Sequence, residues 1–271
     1  MHRIQLYHIF YYFCIVKTII MCIEYDGTDY FGWQVQANKK TIQGELNRAI
    51  KKAFNEDYSV MGSGRTDTGV HSSGQICHFN YDVIKVPPHK IRLAINQKLP
   101  LDIRVKRLWF TDLEFHSRFD AVGREYKYRF SKHTSVFYRR FTTFIPYRLN
   151  IDLLSESAKM FEGKHNFFSF SKNNSQGTTY NCDVKKCEWN IKNENNLELS
   201  IVADRFVYGM VRALVGTMID VARSKRNINC ITDALNTNDR DLSSPLAPAF
   251  GLNLHRIFYK APFDCLIADN E

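Results

Sequence analysis

Between Gly62 and Gly74 the chain reads GSGRTDTGVHSSG, with no apolar run to bury. Its side chains capable of chemistry are Arg65, Asp67 and His71, set among glycines and hydroxyls. A carboxylate in such a setting is one of two things. It is a turn former, accepting a backbone N–H in an Asx-turn, or it is a reagent, acting as a nucleophile or a general base. Arg65 stands two residues from Asp67, so both side chains project to one side if the segment is extended. The glycines let another backbone approach closely.

Known phosphate cradles do not account for the stretch. Gly64 and Gly69 have the spacing of a P-loop, but Val70 and His71 follow where Lys and Ser/Thr are needed. A dinucleotide fingerprint starting at Gly62 requires glycine where Asp67 stands, and a helix after the loop. The seven cysteines are scattered without a CxxC pair, and Cys182 and Cys187 have no histidine at zinc-ligand spacing. They read as reduced thiols, so neither metal nor cofactor is expected. A second anomaly lies far along the chain. Arg212 is a lone cation in the apolar run VYGMVRALVG. A guanidinium there is solvated at a cleft, paired with a carboxylate, or snorkels to the helix edge, because burying it alone is costly.

The elements that must position these residues follow from periodicity. A strand over 15–25 leads to the turn signal Asp26-Gly27. Ile42, Leu46, Ile50 and Phe54 recur at helical spacing behind the N-cap candidate Thr41. YSVM and QICHF read as strands flanking the polar loop. Pro87 and Pro88 open a helix over 88–97, followed by a strand over 103–110. From His116 onward, alternation places Tyr126, Tyr128 and Phe130 on one face of a strand. A helix over 152–162, two further strands, a helix over 206–222 and a final strand LNLHRIFY complete the pattern. The helix over 206–222 carries an apolar stripe of Phe206, Met210, Leu214 and Met218. The class is α+β, with helices packed on a mixed or antiparallel sheet. The division is an extension over 1–14, a half over 15–115 carrying the polar loop, and a half over 116–271.

Composition bounds the partner. The 271 residues carry 37 Lys+Arg against 28 Asp+Glu, a net charge of +9, which favours a polyanion such as nucleic acid. The N-terminal run IFYYFCIV is interrupted by Lys17, lacks a small-residue cleavage site, and is too short to span a bilayer. A cytoplasmic protein without a membrane segment is expected.

Five ordered stretches carry a specific likeness: IEYDGTDYFGWQ, GRTDTGVHSSGQICHF, FHSRFDAVGREYKYRF, FVYGMVRALVG and NDRDLSSPLAPAFGL. Together they resemble the TruA family of tRNA pseudouridine synthases across nearly the whole chain. Thr68 stands where alanine is common in that family. The resemblance implies a pseudouridine-synthase fold, two similar halves flanking a central cleft, and isomerisation of uridine at positions 38, 39 and 40 of the tRNA anticodon arm by a homodimer. It implies Asp67 as the catalytic residue, Arg65 as an RNA contact that helps hold the flipped nucleotide, Tyr126 as its stacking platform and Arg212 as the partner of Asp67. His71 and Ser72 are expected either to line the pocket or merely to order the loop. A cation beside Asp67 is expected to lower its pKa. Whether Asp67 attacks C6 or C1′, or takes the C2′ proton, is open at this level. The rival from another class is a non-catalytic tRNA-binding module or RNA chaperone, which gives no reason to retain Asp67, Tyr126 and Arg212 together.

Overall fold

The computed structural model describes residues 18–81, 86–172, 179–193 and 196–264. The expected extension over 1–14 lies outside them. Strand β1 (Thr18–Tyr25) is flanked by β3 (His71–Asn80) and β4 (Ile103–Thr111), both antiparallel to it. Ile19, Met21 and Ile23 on β1 are fully buried together with Ile42, Leu46 and Ile50 of α1 (Ile42–Phe54) and Ile91 and Ile95 of α2 (Pro88–Asn96). Period two on the strand and period four on the helix thus meet in one core. Thr41 caps α1 as its sequence position suggests, accepting a hydrogen bond from the Gly44 N–H at 3.3 Å.

The C-terminal half supplies β5 (Ala121–Ser131), β8 (Asn181–Asn193), β9 (Asn196–Ala203) and β10 (Leu252–Tyr259). Tyr126, Tyr128 and Phe130 of β5 share one large core cluster with Met210, Leu214 and Met218 of α4 (Met210–Ala222). Two further helices, α3 (Ile151–Lys159) and α5 (Asn229–Asn236), add Leu154, Ala158, Ile231 and Ala234 to that cluster. With the short strands β2 (Met61–Gly62), β6 (Thr143–Phe144) and β7 (Gly163–Asn166), the described residues form one ten-stranded sheet. Its order is β4-β1-β3-β10-β5-β9-β8-β7, with β2 on β3 and β6 on β5. The fold is α+β with a mixed sheet, as expected.

The two groups of strands meet where β3 and β10 run parallel, through the pairs Asn253↔His71 and Leu254↔Ser72. Ser72 Oγ donates to the Leu254 carbonyl at 2.8 Å across this seam. Gly74 is needed there, because a Cβ would sit 2.2 Å from the His255 carbonyl oxygen. The seam therefore begins at the residue after Val70, directly against the polar loop.

Three element boundaries differ from the sequence reading. Strand β3 begins at His71, so the polar loop is 63–70 and the HSSG segment belongs to the sheet. Helix α4 begins at Met210, because Gly209 adopts φ +76 and interrupts the run from Phe206. Helix α3 stops at Lys159, and α5 was not anticipated. Among the described residues, no helix is long and apolar enough to cross a membrane.

Candidate active site

The loop over 63–70 is held from the N-terminal side by the segment after β1. The Trp33 N–H donates to the Thr66 carbonyl at 3.1 Å, and the Gly69 N–H donates to the Tyr30 carbonyl at 3.3 Å. Tyr25 Oη and Thr66 Oγ1 are hydrogen-bonded at 2.9 Å in the buried layer beneath. This approach depends on Gly32. Its φ is +81, and a Cβ there would lie 2.5 Å from the Thr66 carbonyl oxygen. The Val70 N–H closes the loop on the Asp67 carbonyl at 3.1 Å. Backbone bonds therefore fix the loop while leaving the Asp67 carboxylate uncommitted to them.

That carboxylate faces the other half of the molecule. Arg212 Nη1 lies 3.3 Å from Asp67 Oδ2, with the two side chains 17% and 16% exposed. Arg212 stands in the first turn of α4, and its Nε donates to the Ala247 carbonyl at 2.7 Å. The Ala247 N–H returns a bond to the Arg212 carbonyl at 3.0 Å. The segment Ser244–Ala247 packs so tightly on α4 that a Cβ at Gly216 would meet the Pro245 carbonyl oxygen at 2.2 Å. The lone cation of the apolar helix is thus aimed by its neighbours at Asp67. Among the described residues no backbone N–H reaches the Asp67 carboxylate, so the Asx-turn reading has no bond to support it.

The electrostatics differ from the sequence expectation in sign. Burial raises the Asp67 pKa above its ordinary value, and it outweighs the lowering by Arg212 and, further off, by Lys172. The distance of 3.3 Å explains why the pair is not a tight one. A half-closed pocket desolvates the carboxylate more than a single cation at that range compensates.

Tyr126 lies on β5 between Leu254 of β10 and Ile201 of β9. Its ring meets Phe206 edge-on, with centroids 5.1 Å apart and planes at 87°. Burial raises its hydroxyl pKa, and the nearby Asp67 carboxylate raises it further. Among the described residues no hydrogen bond reaches that hydroxyl. The structure thus brings Asp67, Arg212 and Tyr126 to one place from three elements. Arg65 does not join them. Its side chain is exposed on the loop, without a hydrogen bond or ion pair among the described residues.

His71 has both ring nitrogens engaged by protein. Nδ1 accepts from the Gly27 N–H at 3.0 Å, and Nε2 lies 3.1 Å from the Phe250 carbonyl. Its ring packs on Phe141 at 4.7 Å, and burial lowers its pKa. The imidazole thus ties the start of β3 to segments of both halves.

Sequence reasoning missed two neighbours of the site. Lys172 acts on Asp67 through its charge, and its ammonium lies 5.2 Å from the Tyr208 ring centroid. Phe206 was read as part of a helix stripe, and it walls Tyr126 because the helix starts later. Only a lone Lys after the apolar FFSF run hinted at the first. Among the described residues no group of His, Cys, Asp and Glu is placed to hold a metal ion.

The family model described as tRNA pseudouridine synthase matches residues 21–120 and 157–260, spanning both halves, with Asp67 and Arg212 inside the matched ranges and Tyr126 in the interval between them. The chain belongs to the tRNA pseudouridine synthase family. It is similar to the tRNA pseudouridine synthase A of Ruminiclostridium cellulolyticum, 36% identical over 90% of this chain and 100% of the relative. The corresponding protein of Clostridium kluyveri is 37% identical over 90% of this chain and 100% of its own length. Among solved structures, a chain from a Cbf5-Nop10-Gar1 complex aligns over 90% of this chain and 59% of its own, at 12% identity and a TM-score of 0.31. Family membership makes this chain an isomerase with the pseudouridine-synthase fold.

Proposed function

We propose that the chain isomerises uridine to pseudouridine at positions 38, 39 and 40 of the tRNA anticodon arm, with Asp67 as the catalytic residue. The observation that carries this reading is the carboxylate of Asp67, free of backbone bonds and faced by Arg212 at 3.3 Å. The reaction breaks the N1–C1′ glycosidic bond, turns the uracil and rejoins it through C5, releasing the C5 proton to solvent while N1 gains one. No redox change or group donor enters. The target nucleotide must leave its stack, at a cost of a few kcal/mol. Stacking on an aromatic side chain offsets about 1–3 kcal/mol of that. Tyr126, whose hydroxyl has no hydrogen bond among the described residues, is the side chain we assign to this platform. An ionised Asp67 then acts as a nucleophile at C6 or C1′, or as a base at C2′.

Arg212 favours the ionised form of Asp67 and aims it. Arg65, exposed at the rim, is assigned to the RNA backbone. For His71 we assign a positioning role in place of the pocket-lining one, since both ring nitrogens already hold the loop's flank. The net charge of +9 suits a tRNA partner. A homodimer binding tRNA across both subunits, in the cytoplasm, completes the reading.

The test is tritium release from tRNA carrying 5-tritiated uridine. Asp67→Asn keeps size and removes charge. We expect its release to fall by at least about four orders of magnitude, the scale for removing a catalytic group, while tRNA binding in a filter assay stays intact. Wild-type protein that binds tRNA without releasing tritium would favour the non-catalytic binding module.

A further inference from the structure

Phe119 is 74% exposed, yet the turn that carries it is tied by four hydrogen bonds. His116 accepts at Nδ1 from the N–H groups of Arg118 and Phe119, at 3.2 and 3.3 Å. Asp120 Oδ2 accepts from the His116 N–H at 2.7 Å, and the Asp120 N–H returns to the His116 carbonyl at 3.1 Å. The Phe119 ring lies on the His116 ring at 4.2 Å and 31°. The Arg118 guanidinium is 5.8 Å from its centroid. One face of the phenyl is therefore supported, and its orientation is set without burying it.

The position of this turn relative to the catalytic loop is also fixed. Arg124 Nη2 donates to the Arg118 carbonyl at 2.9 Å and to the Ser63 carbonyl at 3.1 Å, joining the turn to the first residue of the loop. Ser63 is four residues from Asp67, an extended span of at most about 14 Å. Ser117 Oγ donates to the Met61 carbonyl at 2.9 Å, and Tyr259 Oη donates to the Ser117 carbonyl at 2.7 Å. The rim between Ser63 and Asp67 carries the exposed Arg65.

We infer that Phe119, backed by His116 and flanked by Arg118, is a stacking platform for a nucleotide adjoining the one that is modified. The inference rests on the tRNA reading above. Little of this side chain's surface is removed from solvent, so its hydrophobic contribution to folding is small. A rigid aromatic face beside cations is what single-stranded or splayed RNA bases bind, with little base preference. The platform would hold the strand in register, so that the target base enters over Asp67.

The test uses an anticodon stem-loop RNA with Phe119→Ala, Phe119→Leu and Phe119→Trp. Since Phe119 is exposed, all three keep the wild-type melting temperature. We expect F119A and F119L to raise KM and Kd about tenfold, or about 1.4 kcal/mol, with kcat at saturation unchanged, and F119W to match wild type. Stem-loops made abasic at each nucleotide flanking the target add a second readout. Wild type should lose about tenfold in affinity at one flanking position, and F119A should lose nothing more there. Leucine binding as well as phenylalanine, or no abasic position coupled to F119A, would overturn the platform and leave the tRNA reading standing. Wild type that neither binds the RNA nor releases tritium would overturn both.

Discussion

The pocket around Asp67 and the rim around Phe119 are built from similar residue types and arranged in opposite ways. In the pocket, Asp67 and Arg212 are both less than one-fifth exposed and face each other across the two halves. At the rim, Arg65, Arg118 and Phe119 are exposed, and the bonds in the turn are made by its backbone and by His116 and Asp120. Chemistry needs a desolvated charge held in place, since low-dielectric surroundings strengthen every interaction with it. Recognition of a long polyanion needs preset side chains that solvent and substrate can still reach. The same β5 strand serves both, with Tyr126 in the pocket and Arg124 anchoring the rim.

The sharpest way to break this contrast is to remove the cation from the pocket. Arg212→Met keeps the apolar stem and deletes the charge. We expect turnover at neutral pH to fall by about 10²- to 10³-fold, the scale for losing one preorganised electrostatic partner. The sign of the pH effect follows from Asp67. Burial already lifts its pKa, so with Asp67 in the proposed catalytic role the acid limb of the rate profile should lie above the ordinary carboxylate value. Arg212 opposes that shift, so deleting it moves the limb to higher pH. A profile of R212M with its limb unmoved would show that Arg212 acts by some means other than holding the carboxylate ionised. Rim substitutions, by contrast, should leave the limb where it is.

Next in size is Gly32→Ala, which attacks the pocket through its support alone. The added Cβ would lie 2.5 Å from the Thr66 carbonyl oxygen, and φ +81 disfavours alanine in any case. The loop must shift, and a displacement of about 1 Å can cost about 10²-fold in rate. Turnover should fall by that factor with tRNA affinity nearly unchanged, because the Phe119 turn is tied to Ser63 and Met61, away from the Gly32 contact. Equal losses in kcat and affinity would show that loop and rim move as one body.

How far these arrangements can be read in the sequence depends on how local their causes are. Thr41 capping α1 is a contact across three residues, and the sequence reading found it. The β5 face of Tyr126, Tyr128 and Phe130 is a period-two pattern, and all three are buried. Arg212 was legible as a conflict, a charge in an apolar helix, and the family resemblance paired it with Asp67, though its tie to Ala247 was not legible. The start of β3 at His71 was misplaced because its pairing partner is Asn253, far along the chain, and polar HSSG carries no strand signal. The start of α4 was misplaced because one backbone angle at Gly209 decides it. The sign of the Asp67 shift was missed because burial is set by the meeting of two halves, whereas the opposing cation could be named in advance.

The smallest effect tests whether the pocket's electrostatics extend past its first pair. Lys172 is exposed, lies near the Tyr208 ring and lowers the Asp67 pKa by charge without touching it. Its contribution ranks below both contributions of Arg212. Lys172→Met should therefore move the acid limb upward by less than R212M does, and leave the plateau rate well above the limb unchanged. An exposed charge acting at a distance is screened by salt, with a Debye length of about 10 Å at 0.1 M and about 3 Å at 1 M. The difference between K172M and wild type should thus shrink as salt rises, while the R212M shift, made by a partly buried contact, persists. Rate profiles at low and high salt on the anticodon stem-loop, under single-turnover conditions with saturating enzyme, separate this from weakened RNA binding. A plateau that falls in K172M at every salt concentration would instead place the ammonium on the substrate, making Lys172 part of the rim's recognition surface and moving the boundary between the two regions inward.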